Sequence, residues 1–275
     1  MPELPEVETT VRGLQKVLID RTFVDVWTDI QKFTKLKKEL KNKKIKKIWR
    51  RGKNIIFDLS DDYSLLVHQK MTGHFLYDNW NKEDKYNNYI HLKFFLDNGR
   101  VLAFSDLRKF AKVKLQKSQA LIKELGLLGP EPLEKEFTFN KFKEILKNKR
   151  GKIKQVLMKQ EVIVGIGNIY ADEILWETKI HPFKDVSKLT EKQLKDIYQS
   201  IKKTLRKALK MGGTSTSDYR NIKGEKGTFG KVIKAYRREG EQCYRCKTKM
   251  QREKINARST CFCPKCQTFK RFGIL

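Results

Sequence analysis

Four cysteines near the C-terminus fall as Cys243-x2-Cys246 and, sixteen residues later, Cys263-x2-Cys266. Two such knuckles joined by a short hairpin offer four soft thiolates, the tetrahedral set that zinc takes. Four protein ligands leave no open position, so the one Zn2+ expected here holds shape rather than reacting. A disulfide framework would use the same spacing in an exported chain. The opening MPELPEVETT, however, carries acids where a secretory signal carries bases and an apolar run, which points to reduced thiols. Cys261 is left over as a spectator. Lys249, Arg252, Lys254 and Arg258 put positive charge between the knuckles, suited to a phosphate backbone.

The other end of the chain offers a nucleophile. Met1 precedes the small residue Pro2, so its removal would expose a secondary amine. An α-amine has a reference pKa of about 7.7 to 8.0, well below that of lysine, and is partly neutral near pH 7. A helix starting just after it would favour the neutral form further, and Glu3 and Glu6 lie close enough to exchange protons with whatever the amine attacks. Acids in a first helical turn are also ordinary partners of the helix dipole, so this motif alone does not settle a role. A third candidate is the turn Gly165, Ile166, Gly167 before Asn168, which opens a helix. There the Asn168 side chain is expected to cap the helix while backbone N–H groups face an anion.

The charge balance names the kind of anion. The chain has 275 residues with 61 Lys+Arg against 32 Asp+Glu, and 61 − 32 gives +29. A polyanion is the partner this suits, although a coding bias toward lysine would give the same excess. The charge is clustered: residues 31–53 hold 12 bases and one acid, and residues 234–275 hold 12 bases and three acids. Residues 161–177 hold four acids and no base. The first cluster suits a solvated helix or strand face equally well. With 39% hydrophobic residues the chain can build one or two cores, which excludes disorder throughout. No apolar run approaches the roughly 18 residues of a membrane span.

Elements must position these groups. Val7, Val11, Leu14 and Leu18 form one stripe, and Pro5 suits a first turn, so residues 5–18 read as a helix. Short β-like runs follow at 22–27, 54–59, 63–68, 90–96 and 101–104, with a hairpin turn at Asp97, Asn98 and Gly99. They suggest a β-sandwich or barrel. After the turn-rich GLLGPEP (126–132) the pattern becomes helical, at 140–147, 152–160, 168–178 and 190–211. The polar stretch 212–230 has too few apolar residues to pack and is expected to be a mobile loop.

Read together, PELPEVE (2–8), RRGK (50–53), HQKMTG (68–73), DLRKF (106–110), LGPEPL (128–133), VGIGNIYADEILW (164–176), GGT (212–214) and the cysteine tail resemble the bacterial formamidopyrimidine-DNA glycosylase family. The order and spacing of the motifs carry the resemblance over residues 2 to about 271. It implies an α+β chain with an N-terminal β-sandwich and helix at 2–129. A linker at 130–139 follows, then a helix-two-turn-helix domain at 140–235 and a C-terminal zinc-finger β-hairpin at 236–275. It also implies an enzyme that excises oxidised purines, 8-oxoguanine among them, from damaged double-stranded DNA, then cleaves the strand by β,δ-elimination. By resemblance Pro2 is the Schiff-base nucleophile, Glu3 the acid/base at the sugar, Glu6 a supporting carboxylate and Lys53 a phosphate-binding lysine beside the lesion. Asn168 grips a backbone phosphate with Tyr170 nearby. Because a base in a duplex hides its C1′, the nucleotide must be flipped; Met71, Arg108 and Phe110 match the residues that fill the gap. Loop 214–230 closes over the extruded base, with Ser217 and Tyr219 as contacts. Arg258 matches the zinc-hairpin arginine on the phosphates, and Lys154 and Tyr236 match positions near DNA.

The chain departs from the family at four places. Lys70 stands where HLGM has glycine, Lys159 where LMDQ has an acid, Ala111 follows Phe110 where glycine is usual, and Ala257 precedes Arg258 in place of glycine. Two other functions compete: an oxidised-pyrimidine glycosylase of the endonuclease VIII type, and a non-enzymatic zinc-ribbon nucleic-acid-binding protein. PELPE and the complete gap-filling set favour the purine branch; the non-enzymatic reading leaves MPELPEVE and GIGN idle. A cytoplasmic, nucleoid-associated monomer is expected.

Overall fold

The computed structural model describes residues 1–78, 87–215 and 218–269. Two compact units emerge, one of residues 1–127 with 208–230 and one of residues 128–207 with 231–275. The first change of unit lies beside the expected boundary near 130. Residues 214–230, expected within the helical domain, group with the N-terminal unit.

The first unit begins with α1 (Leu4–Leu18), whose stripe Val7, Val11, Leu14 and Leu18 is buried as its spacing requires. The strands are β1 (Phe23–Thr28), β2 (Ile45–Arg51), β3 (Asn54–Leu59), β4 (Tyr63–His68), β5 (His74–Tyr77), β6 (Ile90–Leu96), β7 (Val101–Ser105) and β8 (Lys112–Lys117). A short α2 (Leu36–Glu39) lies between β1 and β2, and α3 (Ser118–Gly126) follows β8. The strands pair into two antiparallel sheets, ordered β1-β6-β7-β5 and β2-β3-β4-β8. Phe23 and Phe94 from one sheet and Ile48 and Phe57 from the other share a core with α1, which makes the unit a β-sandwich. Phe57 meets Phe75 edge-on across the layers at 6.0 Å.

Residues 212–230 correct an expectation. Thr214, Tyr219, Arg220 and Ile222 are buried, and Ile222 joins the sandwich core. Three apolar anchors, Tyr219, Ile222 and Phe229, suffice because the segment also satisfies part of its own backbone. Thr214 bridges Thr228 at its neck, the Ser215 hydroxyl accepts from Gly227 N–H, and Asn221 Oδ1 accepts from Lys223 and Glu225 N–H. Gly13 on α1 leaves the space that Ile222 fills: a Cβ there would lie 3.0 Å from it.

The second unit contains α4 (Phe139–Lys147), α5 (Ile153–Met158), α6 (Asn168–Glu177) and most of α7 (Glu191–Lys210), then the hairpin β9 (Gln251–Ile255) and β10 (Arg258–Phe262). The stretch expected as a linker is built into it. Gly129 N–H donates to Gln160 O, and a Cβ at Gly129 would lie 2.7 Å from the Val162 carbonyl. Val164 N–H in turn donates to Pro130 O, so LGPEP braces the turn that leads to Asn168. No described helix is long and apolar enough to cross a membrane.

Candidate functional site

In the first unit the chemistry gathers at the start of α1. Pro2, Glu3 and Glu6 are buried, with Glu3 at 2% and Glu6 at 1% exposure. Glu6 spends both oxygens on backbone: Oε2 accepts from Glu3 N–H at 2.8 Å and Oε1 from Thr214 N–H at 2.6 Å. It therefore clasps the start of α1 to the 213–214 turn. Gly213, at φ +80°, is the residue that permits this approach, since a Cβ would lie 2.6 Å from Glu6 Oε1. Tyr219 is buried with its hydroxyl donating to Glu6 O, and burial pushes its phenol up. It braces α1 from inside. Ser217 lies outside the described residues.

Lys53 is only 5% exposed although charged. The sequence places it there through Gly52, at φ +59° in the β2–β3 turn, and through Arg50. Arg50 Nε donates to Glu8 Oε2 on α1 at 2.9 Å and its Nη1 to Gly52 O. The α-amine, carried here by Met1, is driven below its ordinary value by burial, with Lys53 adding and Glu3, Glu6 and Asp218 opposing. Beside Lys53, His68 is pushed down to about 4 by burial and then by Lys70 and Lys53, so its imidazole is neutral at pH 7. Its Nδ1 accepts from Lys70 N–H, which leaves the proton on Nε2.

Met71, Leu107 and Phe110 are 41%, 44% and 53% exposed. Arg108 lies over the Phe110 ring, 4.7 Å from its centroid. Two residues to which the sequence reading gave no role hold the loops together. Asp106 accepts from the Thr72 hydroxyl and from Ala111 N–H, and Thr72 Oγ1 accepts from Arg108 N–H. An Asp opening DLRKF and a Thr in MTG were the available signal, since short polar side chains fix turns. Lys70 keeps a left-handed backbone at φ +54°, which explains a glycine at this position and costs a lysine about 1–2 kcal/mol. Ala111 needs no such conformation; it is buried with its N–H on Asp106.

In the second unit, Gln160 shapes the turn before α6, donating to Ile166 O and accepting from Gly165 N–H. Gly167, extended at φ −138° and ψ −151°, takes the N-cap, so Asn168 is the first helical residue rather than the cap. Its Oδ1 is buried without a partner among the described residues. Tyr170 is wholly buried, and its ring packs inside the unit.

The adjacent acids Asp172 and Glu173 explain the acidic stretch. Asp172 accepts from Lys154 at 2.7 Å, from the Thr260 hydroxyl and from Cys261 N–H, while Lys154 also donates to Ser259 O. Burial pushes the Asp172 carboxyl up, and these donors hold against it. Glu173 accepts from the N–H groups of Lys234, Ala235 and Tyr236. Lys154, 1% exposed, is thus an internal strut between α5, α6 and β10 rather than a surface contact for DNA. Lys154→Met is expected to destabilise the protein by about 3–5 kcal/mol in urea melts, because it strands a buried carboxylate. Adding Asp172→Asn should recover much of that. A single variant as stable as wild type would contradict the strut.

Arg258 stands exposed at the head of β10. Behind it, the sulfurs of Cys243, Cys246, Cys263 and Cys266 lie within 4.8 Å of one another, as the thiolates around one metal ion would. Burial and the neighbouring sulfurs push Cys266 up to about 12, while Thr248 chiefly pulls Cys246 down to about 6. Four thiolates this close repel one another, and a cation between them removes the conflict. For Cys243, burial raises the thiol, but the backbone N–H groups of Arg245 and Cys246 lead the effects that outweigh it. Cys261, pushed up by burial and then by Asp172, sits apart from the tetrad.

Comparison with known proteins places these features. Residues 1–113 match the model of the formamidopyrimidine-DNA glycosylase N-terminal domain, and residues 128–220 match that of the formamidopyrimidine-DNA glycosylase H2TH domain. The chain is 40% identical over 277 residues to the formamidopyrimidine-DNA glycosylase of Ligilactobacillus salivarius, covering 98% of this chain and all of that one. It is 37% identical to that of Herpetosiphon aurantiacus over 97% of this chain and all of the relative. Among solved structures, the Lactococcus lactis Fpg in complex with DNA containing an abasic site superposes with a TM-score of 0.89 at 34% identity, over 97% of this chain and all of that one. The Lactococcus lactis Fpg in complex with DNA containing Fapy-dG gives a TM-score of 0.88 at 35% identity, over 97% of this chain and all of the other. The chain belongs to the formamidopyrimidine-DNA glycosylase family.

Proposed function

We infer that this protein is a bifunctional DNA glycosylase and AP lyase of base excision repair, which removes oxidised purines such as 8-oxoguanine and formamidopyrimidines from duplex DNA. The observation that carries the reading is the buried terminal amine facing Glu3, Glu6 and Lys53. Once Met1 is removed, the Pro2 nitrogen takes its place. Pro2 is itself buried at the start of α1, and burial disfavours the charged form of an amine there, as it does for Met1.

The neutral amine donates its lone pair to the deoxyribose C1′ while the bond from C1′ to the damaged base breaks, and the N–H proton that the amine then sheds balances the base, which leaves as an anion and is protonated. Glu3 gives a proton to the ring oxygen as the sugar opens, and the resulting iminium is the Schiff base. Its positive charge acidifies the C2′ hydrogen, whose loss expels the 3′-phosphate, and a second elimination expels the 5′-phosphate. Glu6, with both oxygens committed to backbone, positions Glu3 and the covering segment. Lys53 holds the phosphate beside the lesion. Met71, Arg108 and Phe110 fill the gap left by the flipped nucleotide, which accounts for exposed apolar side chains on well-fixed loops. Asn168 donates its amide N–H to a backbone phosphate at the positive end of α6. The four cysteines hold one structural zinc, which supplies rigidity to the hairpin bearing Arg258.

Side-by-side cleavage of duplexes containing 8-oxoguanine or thymine glycol tests the substrate class. Faster cleavage opposite cytosine at 8-oxoguanine is expected; a preference for thymine glycol would favour an oxidised-pyrimidine enzyme instead.

A further inference from the structure

The second unit holds a cavity of about 480 Å³ between α5 and the β9–β10 turn. Val156, Met158 and Ile255 give it an apolar floor, and the exposed side chains of Arg150, Lys159 and Arg258 stand around it. Lys154 borders it too, but its ammonium is committed to Asp172 and Ser259 O. No Asp or Glu lines it. Arg150 donates to the carbonyls of Lys147 and Lys149 and reaches Asp185 only through its field. Three cations around one concavity repel one another, and a bound anion relieves that.

Lys159 is the distinctive member. It is exposed at the C-terminal end of α5, and its backbone is pinned. Its N–H donates to Val156 O, and its carbonyl accepts from Val162 and Ile163 N–H. Gln160, next in the chain, shapes the turn before Asn168. A lysine at the end of α5 also suits the helix dipole, but that does not explain why Arg150 and Arg258 line the same cavity.

We propose that this cavity seats one sugar-phosphate unit of the bound strand, with the deoxyribose on the apolar floor and the phosphate on Lys159 between Arg150 and Arg258. The proposal rests on the reading of the protein as a DNA-binding enzyme and adds Lys159 as a phosphate ligand where an acid would repel one.

Fluorescence anisotropy with an undamaged duplex from 50 to 200 mM KCl tests it on the full-length, zinc-loaded protein. Lys159→Gln is expected to reduce the slope of log K against log salt by about 0.9, the signature of one lost phosphate contact. Across that range its affinity deficit should shrink by about 3.5-fold. Lys159→Arg should restore the slope, and Lys159→Asp should bind more weakly than Lys159→Gln. Equal slopes in wild type, Lys159→Gln and Lys159→Asp would overturn the proposal. Strand cleavage of a damaged duplex, run in parallel, separates the two readings. Cleavage by wild type with unchanged slopes removes only the Lys159 seat, whereas a wild type that neither binds nor cleaves removes both.

Discussion

Exchanging Glu3 for Gln is expected to lower strand cleavage by about 10²- to 10⁴-fold, with thermal midpoint and duplex binding close to wild type. The substitution keeps shape and removes the exchangeable proton. Stability is spared because Gln keeps the side-chain oxygen that accepts from Glu6 N–H in the capping box of α1, while the backbone N–H of residue 3 still donates to Glu6. Glu6→Gln should behave differently: it weakens the clasp to Thr214, so stability and activity fall together. Single-turnover cleavage, read alongside thermal melting, separates the two. Wild-type rates in Glu3→Gln would remove Glu3 from the chemistry. The rate–pH profile carries a related signature. Because burial depresses the amine, its rising limb should lie below the ordinary α-amine range of about 7.7 to 8.0.

The second large effect concerns the cysteines. Cys263→Ser should release the metal and lower duplex affinity more than about tenfold, equivalent to about 1.4 kcal/mol. Cys263 is fully buried in the cluster with Cys243, Met250, Ala235 and Trp176, so losing the metal loosens the packing that carries Arg258. Cys261→Ser is the matched control. Its sulfur lies outside the tetrad, so that variant should keep one zinc per chain by metal analysis. Loss of zinc from Cys261→Ser, or its retention in Cys263→Ser, would contradict the assignment.

Much of the architecture could be read from residue patterns, and the failures have physical causes. β3, β4 and β6 keep their expected bounds because their runs of branched and aromatic residues end at sharp turns. β2 lay hidden in the lysine-rich stretch. Its inward residues Ile45 and Ile48 are three apart because a bulge between Ile45 and Lys47 shifts the register, which defeats a search for strict alternation. Residues 130–139 read as a linker because Gly129 and Pro130 signal turns; nothing local reveals that the turn docks on Val162 and Val164. The gap-filling residues were legible from motifs, whereas the Thr72 and Asp106 contacts that hold their loops span 34 positions. Lys154 reads as a DNA contact because a sequence shows a charge but not that Asp172 and Ser259 O take its ammonium inside the unit.

The central claim is that one terminal amine, freed from Met1 and kept neutral by burial, attacks the sugar. Borohydride trapping with an 8-oxoguanine:cytosine duplex, followed by peptide mass spectrometry, tests it directly. The account predicts a reduced DNA adduct on the N-terminal peptide, attached at Pro2 with Met1 absent, and its loss in Pro2→Gly. An adduct on Lys53 or another lysine, or trapping unchanged in Pro2→Gly, would contradict it.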